Sequence, residues 1–389
     1  MIDLIVYLVV FAFTSLLFFI GDRIEEKSRI FLDILSISIL CMLAALRSGD
    51  VGTDTGGYFQ PMINAAISTG SIKEYMEESW IVAGWSKRIV SQYEIGFSMV
   101  VWIISKLSGS VVAVQFFIQA LIVGPLYYVV RKSKCAPVWL CMLAYDLLLF
   151  NNSLNVIRQS VACSFVVLSL YFWSVRDRLK CFIWMAVAVL FHKSALLGIL
   201  IILLYEFVQR DNVKDINLID VKQDDKAFRV VFVTVVGIML LVGIKFIIRI
   251  ANIMGFANYT GYLGGGASIK LMPNQIISRL PGLLIILLNY NNLKKHTDKG
   301  PFYITMSIYA MIAGHFYGES IVGGAAYGGR IASYFTIYNI FGYSAAASKG
   351  KYRTIFTIAL IAYMLFYWWF YYVYSGVDAT VPYMILGGF

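Results

Sequence analysis

Residues 111–135 read VVAVQFFIQALIVGPLYYVVRKSKC. The run 111–130 carries no charge, and Arg131, Lys132 and Lys134 then crowd into the next four positions. A helix of about 20 apolar residues covers the roughly 30 Å hydrocarbon core of a bilayer. Lysine and arginine gathered just beyond such a run mark the cytoplasmic side of a membrane span. Outward from this stretch the pairing recurs along the chain. Short loops at 21–29, 131–135, 176–180, 209–229, 292–300 and 348–353 hold 20 of the 32 lysines and arginines. Between them lie apolar runs, and the other basic residues are scattered through the alternate connections.

Composition agrees. Hydrophobic residues make up 60% of the 389, against about 45–50% in a soluble domain. The net charge of +10 sits in loops that flank apolar runs, which suits anionic lipid headgroups and excludes a nucleic-acid surface. The expected fold is therefore an all-α polytopic membrane protein, a single integral membrane domain over 1–389. Its expected spans are 3–20, 30–46, 111–130, 136–150, 155–175, 180–191, 194–208, 228–249, 276–291, 301–316, 331–347 and 353–374. Residues 3–20 lack a basic leader and a small-residue cleavage site, so they read as a retained span. With about 12 transmembrane helices and both termini outside, every basic loop falls inside, with 209–229 as the main cytoplasmic loop. The segment Glu94–Leu107 would invert that order if it crossed, so it reads as a re-entrant or interfacial helix. It belongs to a long external stretch, 47–110. Residues 180–208 are too long for one span and are interrupted at His192-Lys193, which predicts two short helices meeting at a break. None of the five cysteines forms a CxxC pair, which argues against disulfides and a thiolate metal site.

The outer face carries isolated charges. Arg47, Arg158, Arg279 and Arg330 stand singly at outer span ends, beside His192, His315, Asp54 and Glu319. A charge deep in a span costs roughly 2.5–3.5 kcal/mol on insertion scales, so the default reading is a paired, functional residue. Arginine suits phosphate in a partly dry site because its planar fork stays charged. Four of them could neutralise a pyrophosphate without a metal. The three histidines form no HExxH or similar array, and no glycine run matches a nucleotide-binding loop, so neither a metal nor a cofactor is expected. Tyrosines and tryptophans near this face, Tyr58 and Tyr334 among them, serve equally as an interfacial belt or as flat surfaces for sugar rings.

Several short motifs occur in order. Arg47 is followed by Gly52-Thr53-Asp54 and Tyr58, then Glu94-Ile-Gly96-Phe97, Asn155-x-x-Arg158-Gln159 and His192-x-Ser194-Ala195. Arg330 precedes Tyr334-Phe335, and Val381-Pro382-Tyr383 comes last. Together they resemble the EpsG-like branch of Wzy-type polysaccharide polymerases. One departure is Thr55 directly after the GTD, with the aromatic delayed to Tyr58. The resemblance implies a multispan lipid-dependent glycosyltransferase of GT-C-like fold in a bacterial inner membrane, with its active site facing the periplasm. Its implied substrate is an oligosaccharide repeat unit on undecaprenyl pyrophosphate, built into O-antigen, capsule or exopolysaccharide without a nucleotide sugar. Implied partners are membrane lipids and, in the same pathway, a chain-length regulator and a flippase.

On this reading Arg47, Arg158, Arg330 and Arg279 hold the pyrophosphate. His192 is the leading base for the acceptor hydroxyl, with Asp54 and Glu319 in reserve. Tyr58, Asn155, Gln159, His315 and Tyr334 contact sugar or acceptor. A glycosidase's paired carboxylates are unnecessary because pyrophosphate is already a good leaving group. Two rivals stay open: a lipid-linked oligosaccharide flippase or other transporter, and a membrane acyltransferase that relies on a membrane-level histidine. A transporter would need charges along a path across the bilayer, whereas only Asp146 lies well inside a span.

Overall fold

The computed structural model describes residues 2–82, 84, 86–209, 225–242, 273–316 and 327–387. They form two compact units, Met1–Gly198 with Ile361–Phe389, and Ile199–Leu360. The first opens with α1 (Ile2–Gly21) and α2 (Glu26–Ala45), which pack on each other. Both turn large apolar side chains outward, Val9, Phe13 and Leu16 on α1 and Phe31 and Ile34 on α2. Such faces suit lipid and would be a liability in water.

The described residues after α2 form a run of short elements. A π-helical turn (Thr55–Phe59) leads into α3 (Gln60–Ser68) and α4 (Ile72–Glu77), the latter closed by a Ser71/Glu74 capping box. A hairpin of β1 (Ser79–Val82) and β2 (Ser86–Ile89) follows, with Trp80 opposite Arg88. Next comes α5 (Ile95–Ser108), ended by left-handed Gly109. Its 14 residues rise only about 21 Å, short of the hydrocarbon core. It packs on α3, on α6 (Val111–Ser133) and on α10 (Arg178–Phe191).

Residues 138–155 form one continuous helical stretch: α7 (Val138–Tyr145), a π-helical turn over Asp146–Phe150, and α8 (Asn151–Asn155). The expected span 136–150 falls short of this, since the helix runs on through Asn151-Asn152-Ser153 to Asn155. The helix continues because its asparagines find partners, as described below. It ends at Val156, whose ψ of 60° breaks the helix, and α9 (Ile157–Ser174) then begins. Buried along most of its length, α9 lies against α6 and α10. In lipid the gain comes from packing and interhelical hydrogen bonds rather than hydrophobic transfer. Ser169 Oγ accordingly donates to the Cys181 carbonyl of α10 at 2.8 Å.

The predicted break in 180–208 is present. α10 stops at Phe191, His192 is extended (φ −159°, ψ 124°), and a 3₁₀ turn (Lys193–Leu196) leads to α11 (Leu197–Gln209). A polar knot ties the other end of the first unit. Arg131 donates to Asp22 at 2.6 Å and to both oxygens of buried Asp33 at 2.7 and 2.8 Å. Tyr127 also donates to Asp33, and the Val138 N–H donates to Asp22 at 3.1 Å.

In the second unit α12 (Asp225–Val242), α13 (Pro273–Ile277), α14 (Leu280–Leu288), α15 (Tyr290–Lys294), α16 (Gly300–Phe316), α17 (Tyr327–Thr336) and α18 (Asn339–Ala347) follow α11. α16 packs on α12, α13, α14, α17 and α18. Two expected spans are each divided: 276–291 is broken at Arg279 and at Asn289, and 331–347 is broken after Thr336. Finally α19 (Arg353–Trp368) runs into a π-helical turn, Trp369–Tyr374. Four helical stretches among the described residues are long and apolar enough to cross a membrane: Leu4–Gly21, Glu26–Ala45, Val111–Ser133 and Arg353–Tyr374. The chain is thus an all-α membrane protein at that level of description.

Candidate functional site

The site is built on the loop that follows α2. Gly52 has φ +82° and passes so close to α8 that a Cβ there would sit 2.7 Å from the Leu154 carbonyl oxygen. Only glycine meets both demands. That approach lets the next two residues bond to Asn155. Thr53 Oγ1 donates to Asn155 Oδ1 at 2.7 Å, and the Asp54 N–H donates to the same oxygen at 3.2 Å. Thr55 Oγ1 donates to the Leu154 carbonyl at 3.3 Å and accepts from Arg47 Nε at 3.2 Å. The π-helical turn then sets Tyr58 so that its hydroxyl donates to Asp54 Oδ2 at 2.9 Å.

Two guanidinium groups flank Tyr58. Arg47, only 2% exposed, donates from Nη1 to the Ala44 carbonyl and lies over the Phe59 ring. Burial pulls its pKa down to about 10, while the phenols of Tyr7, Tyr383 and Tyr58 act the other way. Among the described residues its hydrogen-bond partners are one carbonyl and one hydroxyl, with no carboxylate. Arg158, on the first turn of α9, lies 5.0 Å from the Tyr58 ring centre and 4.8 Å from that of Tyr93. Those two rings stack at 4.9 Å, and Trp80 of β1 stacks on Tyr93 at 6.0 Å. The indole N–H is held by the Gly57 carbonyl at 2.9 Å. Burial, with Asp54 adding to it, pushes the Tyr58 phenol well above its usual pKa, so it stays a neutral donor.

Glu94 compensates Arg158. Its Oε2 pairs with Arg158 Nη1, and its Oε1 accepts the Lys193 N–H at 3.4 Å. Burial works against its ionisation, but Arg158 and then His192 outweigh it, and the carboxyl is held below its ordinary range. Gly96 makes this junction possible, since a Cβ there would meet the Leu190 carbonyl oxygen at 2.7 Å. His192 caps the 3₁₀ turn: its Nδ1 accepts the Ser194 N–H at 3.2 Å, with Ser194 Oγ at 2.6 Å. A backbone N–H can only donate, so in the neutral ring the proton sits on Nε2. Nε2 is then a donor. The expectation of His192 as base was drawn from its place at a break, and spacing alone does not reveal this tautomer.

A second strand of contacts comes from residues 377–386. Asp378, with φ +70°, accepts from Asn152 Nδ2 and Asn155 Nδ2, each at 2.8 Å. Asn151 donates to Thr380 Oγ1 at 3.0 Å and accepts from Trp368 Nε1 at 2.8 Å. The Gly52 N–H donates to the Ala379 carbonyl at 2.8 Å, the Ser48 N–H to Met384 at 2.8 Å and the Leu386 N–H to Leu46 at 2.7 Å.

One unit therefore gathers Arg47, Asp54, Tyr58, Asn155, Arg158 and His192, with Gln159 buried on the next position of α9. Arg279, His315, Arg330 and Tyr334 belong to the second unit. There Arg279 is buried and donates to the Gln275 carbonyl at 3.2 Å and to the Gln275 side chain. Arg330 and buried Tyr334 lie one turn apart on α17. Glu319 lies outside the described residues. Sequence reasoning missed two carboxylates, Glu94 and Asp378. Glu94 stood within a quoted motif as a helix start, and nothing local distinguishes Asp378 from a solvated loop acid. Among the described residues no three His, Cys, Asp or Glu side chains gather as metal ligands.

Residues 30–385 match the EpsG family. The chain belongs to that family. EpsG proteins are Wzy-like polymerases, which makes this chain a glycosyltransferase-type membrane protein of polysaccharide polymerisation. No curated protein and no solved structure matches it.

Proposed function

We propose that this chain joins oligosaccharide repeat units carried on undecaprenyl pyrophosphate, at the periplasmic face of a bacterial inner membrane. The observation that carries the reading is the placing of two guanidinium groups, buried Arg47 and part-buried Arg158, about Tyr58, which donates to Asp54. A buried cation is costly unless an anion accompanies it, and among the described residues no carboxylate hydrogen-bonds to Arg47. A substrate pyrophosphate would supply that charge. Arg279 and Arg330, in the second unit, are proposed to carry phosphate-binding charge of their own.

In the reaction an acceptor hydroxyl oxygen forms a bond to the anomeric carbon of the donor sugar. The bond from that carbon to the pyrophosphate oxygen breaks, and its electron pair stays with the lipid pyrophosphate. The hydroxyl proton passes to a side-chain base. Asp54 is our choice, because Tyr58 orients one of its oxygens while the tautomer of His192 favours donation from Nε2 to the departing phosphate. Charge stabilisation by preorganised groups is usually the largest catalytic term. The stacked Trp80, Tyr93 and Tyr58 give flat faces for sugar rings.

Purified protein incubated with lipid-linked repeat units should produce a ladder of longer lipid-linked chains. A flippase would only relocate intact units between leaflets, and an acyltransferase would require an acyl donor. Either outcome without a ladder overturns the proposal.

A further inference from the structure

We infer that Asp378 is a positioning residue, which fixes the amide of Asn155 and through it the Gly52-Thr53-Asp54 loop; this rests on the function proposed for Asp54. Two asparagine side chains hydrogen-bond to Asp378, and both arrive as donors: Asn152 Nδ2 at one oxygen and Asn155 Nδ2 at the other. A carboxylate has acceptors on both oxygens and no donor. It therefore forces the Asn155 amide into the orientation in which Oδ1 faces the opposite way. That oxygen is where Thr53 Oγ1 and the Asp54 N–H both donate. If Asn155 turned over, its NH₂ would face the Asp54 N–H, and two donors would meet. The loop that carries Asp54 would lose the contact that fixes its height against α8.

The segment bearing Asp378 is itself well anchored. Thr380 takes a hydrogen bond from Asn151, and its carbonyl accepts from Tyr7 at 2.7 Å. The Ala379 carbonyl binds the Gly52 N–H. Asp378 thus stands on a rigid base on one side of Asn155, with the loop on the other. The line Asp378–Asn155–Asp54–Tyr58–Arg158 connects a distant part of the chain to the proposed base and clamp.

The chemistry supplies a selective test. In Asp378→Asn the new amide offers one acceptor and one donor, so with both asparagines oriented as they stand either Asn152 or Asn155 loses its partner whichever way the new amide turns. In the double variant Asp378→Asn with Asn155→Asp all four hydrogen bonds can form again, with the donor and acceptor exchanged across the pair. Backbone hydrogen exchange of residues 52–58 in the purified full-length protein reads the positioning without any assay of activity. Asp378→Asn should speed that exchange about tenfold, the worth of one hydrogen bond to a charged group, and the double variant should restore most of the protection. In the polymer-ladder assay Asp378→Asn should lower kcat about tenfold with KM nearly unchanged, and the double variant should recover activity relative to either single one. Unchanged exchange in Asp378→Asn, or a double variant no better than Asn155→Asp alone, overturns the inference. A wild type that makes no ladder, while the exchange pattern holds, would instead count against the proposed function. Should the Asp378 variants fail to fold, Asn155→Ser cuts the same line from its middle, and wild-type protection there overturns the inference equally.

Discussion

Arg158 shows why an arginine, rather than any cation, is needed at its position. Its plane lies against two phenol rings while one edge pairs with Glu94. Lysine keeps the charge but has neither a plane to stack nor a fork. Arg158→Lys should therefore cut the rate of polymer formation about 10²-fold, as expected for removing one preorganised charge donor; near-normal ladders at matched protein level would exclude it from the clamp. Glu94 adds a pH dependence. Its carboxyl is held below its ordinary value of 4.5, so the stability it contributes is present above that pH and is lost as the pH falls below it. The midpoint of thermal unfolding in detergent should drop on acidification below about pH 4.5 in the wild type, and Glu94→Gln should flatten that slope while lowering stability at neutral pH. The sequence displayed Arg47, Arg158, Asp54 and Asn155 because isolated polar groups at span ends are conspicuous. It hid Asp378, whose importance comes from two asparagines more than 200 positions earlier.

At the scale of elements, the breaks matter more than the helices. Val156 and His192 interrupt what would otherwise be long apolar rods; the first break leads into Arg158 and the second sets His192 itself and the Lys193 N–H beside Glu94. The break at His192 was legible from the histidine and lysine inside an apolar run. The extension of the preceding helix to Asn155 was not, since asparagines read as loop until their partners are known. The Arg131 knot was equally hidden, because a basic loop residue looks like a topology signal alone. Arg131 also braces α1, α2 and α6 through Asp22 and Asp33. Arg131→Ala should destabilise the protein by about 3 kcal/mol, the lower range for breaking a buried pair. Because the knot lies near the start of α2 and Arg47 just past its end, KM for lipid-linked substrate should stay unchanged in the folded fraction. The close contact at Gly96 belongs to this scale as well. A methyl group there must push α5 away from α10, so Gly96→Ala should lower the melting temperature and loosen the Glu94–Arg158 pair; an unshifted melt would show that the two helices have room to spare.

For the whole molecule, the charge pattern predicts which side each connection occupies. Loops 176–180, 209–229 and 348–353 should be inside, and 47–93, 251–275 and 317–329 outside. The last two ranges lie largely outside the described residues. Cysteines introduced singly at Ser71 and Ser348, in a background without the five native cysteines, should react oppositely with an impermeant maleimide added to spheroplasts. Labelling of both from outside would overturn the topology and with it the periplasmic site.

The stitching of residues 377–386 onto the loop after α2 has a consequence for how the protein comes into being. Synthesis runs from the amino end, so α2 is made long before the strap that binds Ser48, Gly52 and Asn155, and the described helices α3 to α19 are made in between. Until then the Asp54 loop has lost the carbonyls of Ala379 and Met384 and the carboxylate of Asp378 as acceptors. A nascent or truncated chain ending near residue 376 would hold every described helix from α1 to α19 and still lack the contacts that set the proposed site. On the proposed function, polymerisation would thus be withheld by geometry alone until the strap has been made and has docked.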